Sequence, residues 1–360
     1  MFDLSPDDEL ALVLETARRL AQDELVPAMR DHEADRAVSG SLAQSWAEVG
    51  LSTLDVPEAL DGAGLGCLAR VHVNEALAEG DVGATVALDP YGPALVALHE
   101  VGGDDAARAL VDATQNGARR ALYLDERDAQ VRLDGDRLGL DAAWVPAESA
   151  AALVLLRDDE VLLVTKGLAF EAVRGAGLRA AGGASLRIDD AQIAGRWTNA
   201  EGASRARARA RLHTASLLLG VLSATCTFSA AYAQERQAFG KPIGHHQALA
   251  FLITDMHMAL EAARLVVHEA AWRVDRGLPC ATEAASAWAE CIEIARTLGP
   301  DGVQILGGHG FMADYPVEKH MREARALSLL HGGFDAAIED AGRALVDSET
   351  PLGLGEEGAL

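Results

Sequence analysis

The sequence predicts an α+β fold, mostly helical, ordered as helices, then strands, then helices. Three observations carry this. Apolar residues recur at helical spacing over the first ~115 residues. Between Arg119 and Trp197 the pattern changes to short apolar runs split by charged turns. After Arg205 helical periodicity returns and persists to about Ser348, in segments long enough for a bundle. That order argues packed sub-domains and not an alternating βαβ sheet. The boundaries fall at residues 1–118 for an N-terminal helical domain and 119–204 for a middle antiparallel β-domain. A C-terminal helical bundle spans 205–348, with a tail at 349–360.

Each element has its own signal. Ser5-Pro6-Asp7-Asp8 reads as a helix start, with a capping hydroxyl, a first-turn proline and carboxylates at the positive dipole end. Leu10, Leu12, Val13, Ala17 and Leu20 then recur at helical spacing. Further helices are expected over Ser41–Val49 and Leu68–Glu79, separated by a glycine-punctuated turn region, Val56 to Gly66. Ala151–Leu156, Glu160–Val164 and Ala184–Ile188 read as strands. The tail from Thr350 has three glycines and no periodicity.

Composition narrows the function. Over 360 residues, 49% hydrophobic content is ample for a core, while 4% aromatics leave the packing to Leu, Val, Ile and Ala. Acidic residues outnumber basic ones 55 to 31, a formal charge of −24, which disfavours nucleic acid and anionic lipid as partners. Cys67, Cys226, Cys280 and Cys291 show no CxxC pairing and no metal-ligand spacing, so a reducing cytoplasm is expected and no metal site. The acidic N-terminus is unlike a signal peptide. Thr214–Tyr232 carries no charge and could be weighed as a membrane span. Its six Ser or Thr positions favour a buried core helix instead, with no membrane insertion.

Four segments invite chemistry. The run Arg205-Ala-Arg-Ala-Arg-Ala-Arg211 could be an anion site, but charge runs are more often solvated helix faces, which is the expectation here. His245-His246 lacks further ligands nearby, so a metal reading fails. A helix stops near Phe239-Gly240 and another begins after Pro242, and Arg236 sits where a guanidinium could reach a phosphate in a forked contact. Gln304-Ile-Leu-Gly307-Gly308-His-Gly310 lets backbone approach a ligand closely and bare its N–H groups.

In this order, and after a β-domain, the last two segments resemble the acyl-CoA dehydrogenase family, flavoproteins that desaturate acyl-CoA thioesters. Arg236, Phe239, Gly240 and Gln247 match its R-x-x-F-G…Q pattern. Gln304, Gly307, Gly308 and Gly310 match Q-x-x-G-G-x-G, and Met321-Arg-Glu-Ala-Arg325 matches the basic-acidic run that follows. Glu24–Pro27, Glu48–Leu51, Pro57-Glu58 and Gly62–Gly66 are similar to its N-terminal domain. The resemblance implies an N-terminal helical domain, a middle β-domain and a C-terminal four-helix bundle. It also implies FAD, an acyl-CoA substrate, and an electron-transfer flavoprotein as redox partner. In that chemistry a desolvated carboxylate takes the α-proton while the β-hydrogen leaves as hydride to the flavin.

The chain departs from the family where that chemistry happens. The usual base is a glutamate in an aromatic-Glu-Gly-Thr turn; here the turn reads Leu330-His331-Gly332-Gly333, with histidine at the base position. The alternative glutamate of some relatives falls at Ala210 or Arg211, and no acid lies between Ser204 and Glu235. The family's [TS]-E-P-x-x-G-S-D flavin loop reads Tyr123-Leu-Asp-Glu-Arg-Asp-Ala-Gln130. Its W-I-[TS]-N motif reads Trp144-Val-Pro-Ala147, with Pro146 deleting a donor. Trp144 is expected to be plain core. Arg236, Phe239, Gln247, Gln304, Gly307 and Gly308, which in the family hold the adenosine-pyrophosphate half of a neighbouring subunit's FAD, remain. The resemblance therefore implies a non-catalytic subunit sharing FAD at an interface with a catalytically complete partner, as in bacterial α₂β₂ acyl-CoA dehydrogenases of steroid side-chain breakdown. The alternatives are an active homotetramer using His331 as base, or a family lyase or desulfinase.

Overall fold

The structure, a computed structural model, describes Leu4 and residues 6–346. Ser5 and the tail from residue 347 lie outside the described residues. The first helix, α1 (Asp8–Leu20), is capped by Asp7, whose carboxylate accepts from Leu10 N at 2.8 Å. It continues through a π turn, Ala21–Leu25, into α2 (Val26–Asp35). α3 (Gly40–Val49) has Ser39 as its cap and ends at left-handed Gly50, so the expected helix is present. In the turn region a Cβ at Gly62 would stand 2.1 Å from Val56 O, which requires glycine there. α4 (Gly66–Leu88) runs nine residues beyond the expected end at Glu79, with a break at Asp81 (φ −158°, ψ 102°). α5 (Ala94–Ala113) follows.

The middle region holds eight strands: β1 (Ala121–Asp125), β2 (Gln130–Asp134), β3 (Arg137–Val145), β4 (Ala152–Arg157), β5 (Glu160–Val164), β6 (Ala169–Ala172), β7 (Ala184–Gln192) and β8 (Gly195–Thr198). They form two four-stranded sheets, ordered β1-β4-β5-β8 and β2-β3-β7-β6. Every pairing is antiparallel except β1 with β4, which is parallel because the intervening β2 and β3 belong to the other sheet. Leu138, Leu140, Leu153, Leu155, Leu186 and Ile188 are among the side chains that fill the space between the sheets. The opposite face of the first sheet packs Val154, Leu156, Val161 and Leu163 against α5. Burial on both faces explains the continuous apolar runs of β4 and β5.

After Thr198, α6 (Ala200–Glu235) starts from Asn199, whose side chain accepts from Gly202 N at 3.0 Å. A two-residue hairpin, β9 (Gln237–Ala238) and β10 (Lys241–Pro242), leads to α7 (Gln247–Asp275). Then come α8 (Ala281–Leu306), the short α9 (Val317–Leu327) and α10 (Gly333–Val346). Residues 214–232 lie in α6, and that helix is the core of the bundle, with Leu218, Leu219, Val221 and Leu222 fully buried. Thr214 and Thr225 bond carbonyls of their own helix, Ala210 O and Val221 O, and Ser223 reaches Glu79, whereas Ser229 Oγ is buried without a partner among the described residues. α6 also presses on α4: a Cβ on Gly220 would lie 2.4 Å from Glu75 O. A buried cluster joins the first domain to the last. Asp81, buried at the break in α4, accepts from Lys319 Nζ at 2.6 Å and lies 3.2 Å from His32 Nδ1, while Lys319 also reaches Glu323 at 2.6 Å.

Candidate functional site

The sequence-predicted residues gather at two separate places. The first surrounds His331, which holds a left-handed conformation (φ 58°) in the turn between α9 and α10. It is only 4% exposed. Its Nε2 lies 2.7 Å from Thr214 Oγ1, and Nδ1 is buried with no partner among the described residues. The Tyr123 and Trp288 rings stand 5.7 and 6.0 Å away. Burial pulls the imidazole down to about pKa 3, overriding the nearby Asp125 charge that would raise it. A group that holds protons this weakly is a poor general base near neutral pH.

Beside it the loop after β1 is filled by ions. Asp125 is fully buried and accepts from Arg127 Nε and Arg207 Nε, both at 2.8 Å. Burial alone would raise its pKa, but these two guanidinium groups hold the carboxyl well below the usual range. Arg127 and Arg211 both bond Asp340, at 2.7 and 2.5 Å. Asp128, a residue the sequence reading missed, accepts from Gly332 N at 2.8 Å and Asp125 N at 3.1 Å, tying this loop to the His331 turn. Burial pushes its carboxyl up to about 7. Its signal was the spacing Asp125-x-x-Asp128, a reciprocal cap on a short turn.

The arginine run is therefore no solvated face. Arg205 and Arg209 both reach Glu100, at 2.9 and 2.8 Å, and Arg209 adds Asp55 at 2.8 Å. Arg207 and Arg211 serve the Asp125–Asp340 network. Alternation sorts the four into two i, i+4 pairs, each with its own acidic partners. Trp144 is not plain core either. It is half-buried, its Nε1 has no partner among the described residues, and it lines a cleft of about 600 Å³ between Gly175–Gly177 and the bundle residues Met321, Arg325 and Leu329. His245 and His246 lie in the turn ahead of α7, where His246 Nε2 contacts Ala238 O at 3.1 Å.

The second place is an open cleft of about 530 Å³ at the ends of α6 and α8. Arg236 caps α6 and is exposed, with no side-chain partner among the described residues. Gln304 is exposed on the last turn of α8, followed by the tight turn Gly307–Phe311. Added Cβ atoms at Gly307 and Gly308 would meet nothing within 4 Å, whereas one at Gly310 would lie 2.4 Å from Val303 O. Gly310 thus serves packing, while Gly307, at φ 58°, and Gly308 face open space. Tyr232 Oη and His309 Nδ1, 2.7 Å apart, brace the turn. Arg236, Gln304, Gly307 and Gly308 share this cleft; Phe239, 95% exposed at the hairpin tip, and Gln247, exposed at the start of α7, flank it without lining it. The cleft lies at the carbonyl end of α8, so attraction for an anion falls to Arg236.

A three-part chain of helices, β-sandwich and helical bundle, with this cleft at the bundle's end, defines a class of flavoprotein dehydrogenases. Residues 7–116 match the acyl-CoA dehydrogenase N-terminal domain and residues 202–346 the acyl-CoA dehydrogenase C-terminal domain. The chain belongs to the acyl-CoA dehydrogenase family, whose cofactor is FAD. It is 28% identical over 358 residues to the short-chain specific acyl-CoA dehydrogenase, mitochondrial, of Homo sapiens, covering 89% of this chain and 86% of that one. Among solved structures, the electron transferring flavoprotein of Acidaminococcus fermentans has TM-score 0.84 at 22% identity, over 96% of this chain and 100% of that chain. The Tcur3481–Tcur3483 steroid ACAD variant has TM-score 0.82 at 25% identity, over 94% and 98%.

The two places fit FAD differently. The open cleft offers a free guanidinium and exposed glycine backbone, which suit a pyrophosphate. The His331 region does not suit a flavin ring. Asp125 and its arginines fill the loop, and Pro146 offers no N–H.

Proposed function

We propose that this chain is a non-catalytic subunit of a heteromeric, FAD-dependent acyl-CoA dehydrogenase, completing the FAD site of a catalytically complete partner in the cytoplasm. The observation that carries the reading is the contrast within one chain: the Arg236–Gln304–Gly308 cleft is open, while the Asp125 loop beside His331 is filled and ion-paired. Arg236 would clamp the pyrophosphate of the partner's FAD, with Gln304 and the backbone of Gly307 and Gly308 alongside, and Phe239 and Gln247 on the rim. FAD supplies the hydride acceptor; no proton-transfer step falls to this chain. The two-component name of the Tcur3481–Tcur3483 steroid ACAD supports the heteromeric reading. Acyl-CoA is the substrate of the assembled complex, and an electron-transfer flavoprotein its electron acceptor.

The alternative of an active homotetramer requires His331 as base, against a proton affinity lowered by burial and an unpartnered Nδ1. Nothing in the comparisons favours the lyase or desulfinase alternative. Co-expression with a complete dehydrogenase subunit, scored by FAD stoichiometry, tests the proposal. The chain alone is expected to carry little FAD and to reduce no acceptor with acyl-CoA. Stoichiometric FAD on the isolated chain, bleached by an acyl-CoA, would reject the non-catalytic reading.

A further inference from the structure

A small cavity of about 80 Å³ lies between α4, the start of β1, α6 and the His331 turn. It stands apart from the Arg236 cleft and does not depend on it. Three residues on its wall carry buried polar atoms without partners among the described residues: Arg120 Nε, Tyr123 Oη and His331 Nδ1. Buried polar groups are almost always paired, so three orphans around one space point to something that belongs there.

Arg120 decides what. Its guanidinium donates only to two carbonyls at long range, Ala181 O at 3.3 Å and Pro146 O at 3.4 Å. No carboxylate among the described residues lies within ion-pair distance of it. Asp89, whose charge acts on it from farther off, is spent elsewhere: its oxygens take Arg70, Tyr91 N and Gly92 N. The other acid on the wall, Asp128, turns its two oxygens to Gly332 N and Asp125 N. A buried guanidinium has five donors in a planar fork that matches a carboxylate. Apolar wall positions, Leu122, Leu217, Leu327 and Leu330, suit a short hydrocarbon tail. At roughly 15 Å³ for each water-sized sphere, the space admits about five non-hydrogen atoms.

We propose that this cavity binds a short-chain free carboxylate, with its carboxylate on the Arg120 fork and its tail among the four leucines. The orphaned Tyr123 hydroxyl is the second donor for the anion. Propionate, with five non-hydrogen atoms, is the probe.

Isothermal titration of the full chain with sodium propionate, at ionic strength held constant with sodium chloride, is expected to show saturable one-to-one binding and a raised Tm. Propionamide and propanol, which keep the shape without the charge, should be silent, and octanoate should bind at least tenfold more weakly. Arg120→Gln should weaken propionate at least tenfold and Arg120→Lys less, because an ammonium keeps the charge but loses the fork. Equal effects of propionamide, an equal response to chloride alone, or no saturation would overturn the site. So would unchanged propionate affinity in a folded Arg120→Gln. Should that variant not fold, the acid–amide comparison on the unaltered chain still decides.

Discussion

His331 shows how much a neighbourhood alters a side chain. Exposed, an imidazole titrates near 6.5; here burial takes it to about 3. In the assembled complex, His331→Ala is expected to leave turnover within a few-fold of the parent. A drop of ~10²–10⁴-fold would restore it as a general base. Asp128 is shifted the other way. Its folded pKa of about 7 lies above the ordinary 3.8, so its contribution to stability is present in acid and lost as pH rises from about 4 to 7. His331 opposes it, costing stability as pH falls from 6.5 toward 3. Asp128→Asn separates the two. Relative to the variant, the parent should lose on the order of 1.4 kcal/mol per pH unit across that window, read from denaturant melts at several pH values. Arg236 could be singled out as a candidate from sequence because its R-x-x-F-G spacing is local. Asp128 was not, since its partner Gly332 is 204 residues away. Arg236→Ala should weaken FAD retention by the complex about tenfold, a loss of 1.4 kcal/mol, and Arg236→Lys should rescue only in part.

At the scale of elements, α6 holds the chain together. Its apolar middle was readable as a core helix because its hydroxyls and short apolar stretches suit packing better than lipid. The helix starts at Ala200, ahead of the periodicity visible after Arg205, because Asn199 caps it and the arginines interrupt the apolar pattern. Those arginines were misjudged as solvated for a physical reason: a charge run reveals nothing about distant acids, and Glu100, Asp55, Asp125 and Asp340 are all remote in sequence. Strands were found from their apolar runs, yet the parallel β1–β4 pair was not. Pairing direction depends on which sheet the intervening hairpin joins, and no local pattern encodes that. Gly220 marks the contact of α6 with α4, and Gly220→Val should destabilise the protein by about 1–3 kcal/mol, seen as a lowered Tm, because backbone blocks its side chain.

For the molecule as a whole, the helices–strands–helices order was legible and the junctions were not. Lys319 on α9, Asp81 at the break in α4 and His32 on α2 meet in a buried cluster that the sequence gives no hint of. Burial lowers the lysine's hold on its proton, but Glu323 and Asp81 more than restore it, so Lys319 stays charged. Removing one partner leaves uncompensated buried charge. Lys319→Met is therefore expected to cost about 3–5 kcal/mol in equilibrium unfolding, far more than an exposed lysine would.

The ion lattice of Asp125, Arg127, Arg207, Arg211 and Asp340 also bears on the history open to this chain. His331→Glu would supply a carboxylate without clearing the Asp125 loop of its ion pairs, so on the proposed reading the isolated chain should stay inert. Replacing the buried Asp125 by a small hydroxyl would strand Arg127 and Arg207 without their shared carboxylate. Such a replacement is expected to lower stability, and several changes made together are needed to avoid that loss. The lattice works as a ratchet: its charges hold one another in place, so a change at any one of them is costly while the surface around it stays free to vary.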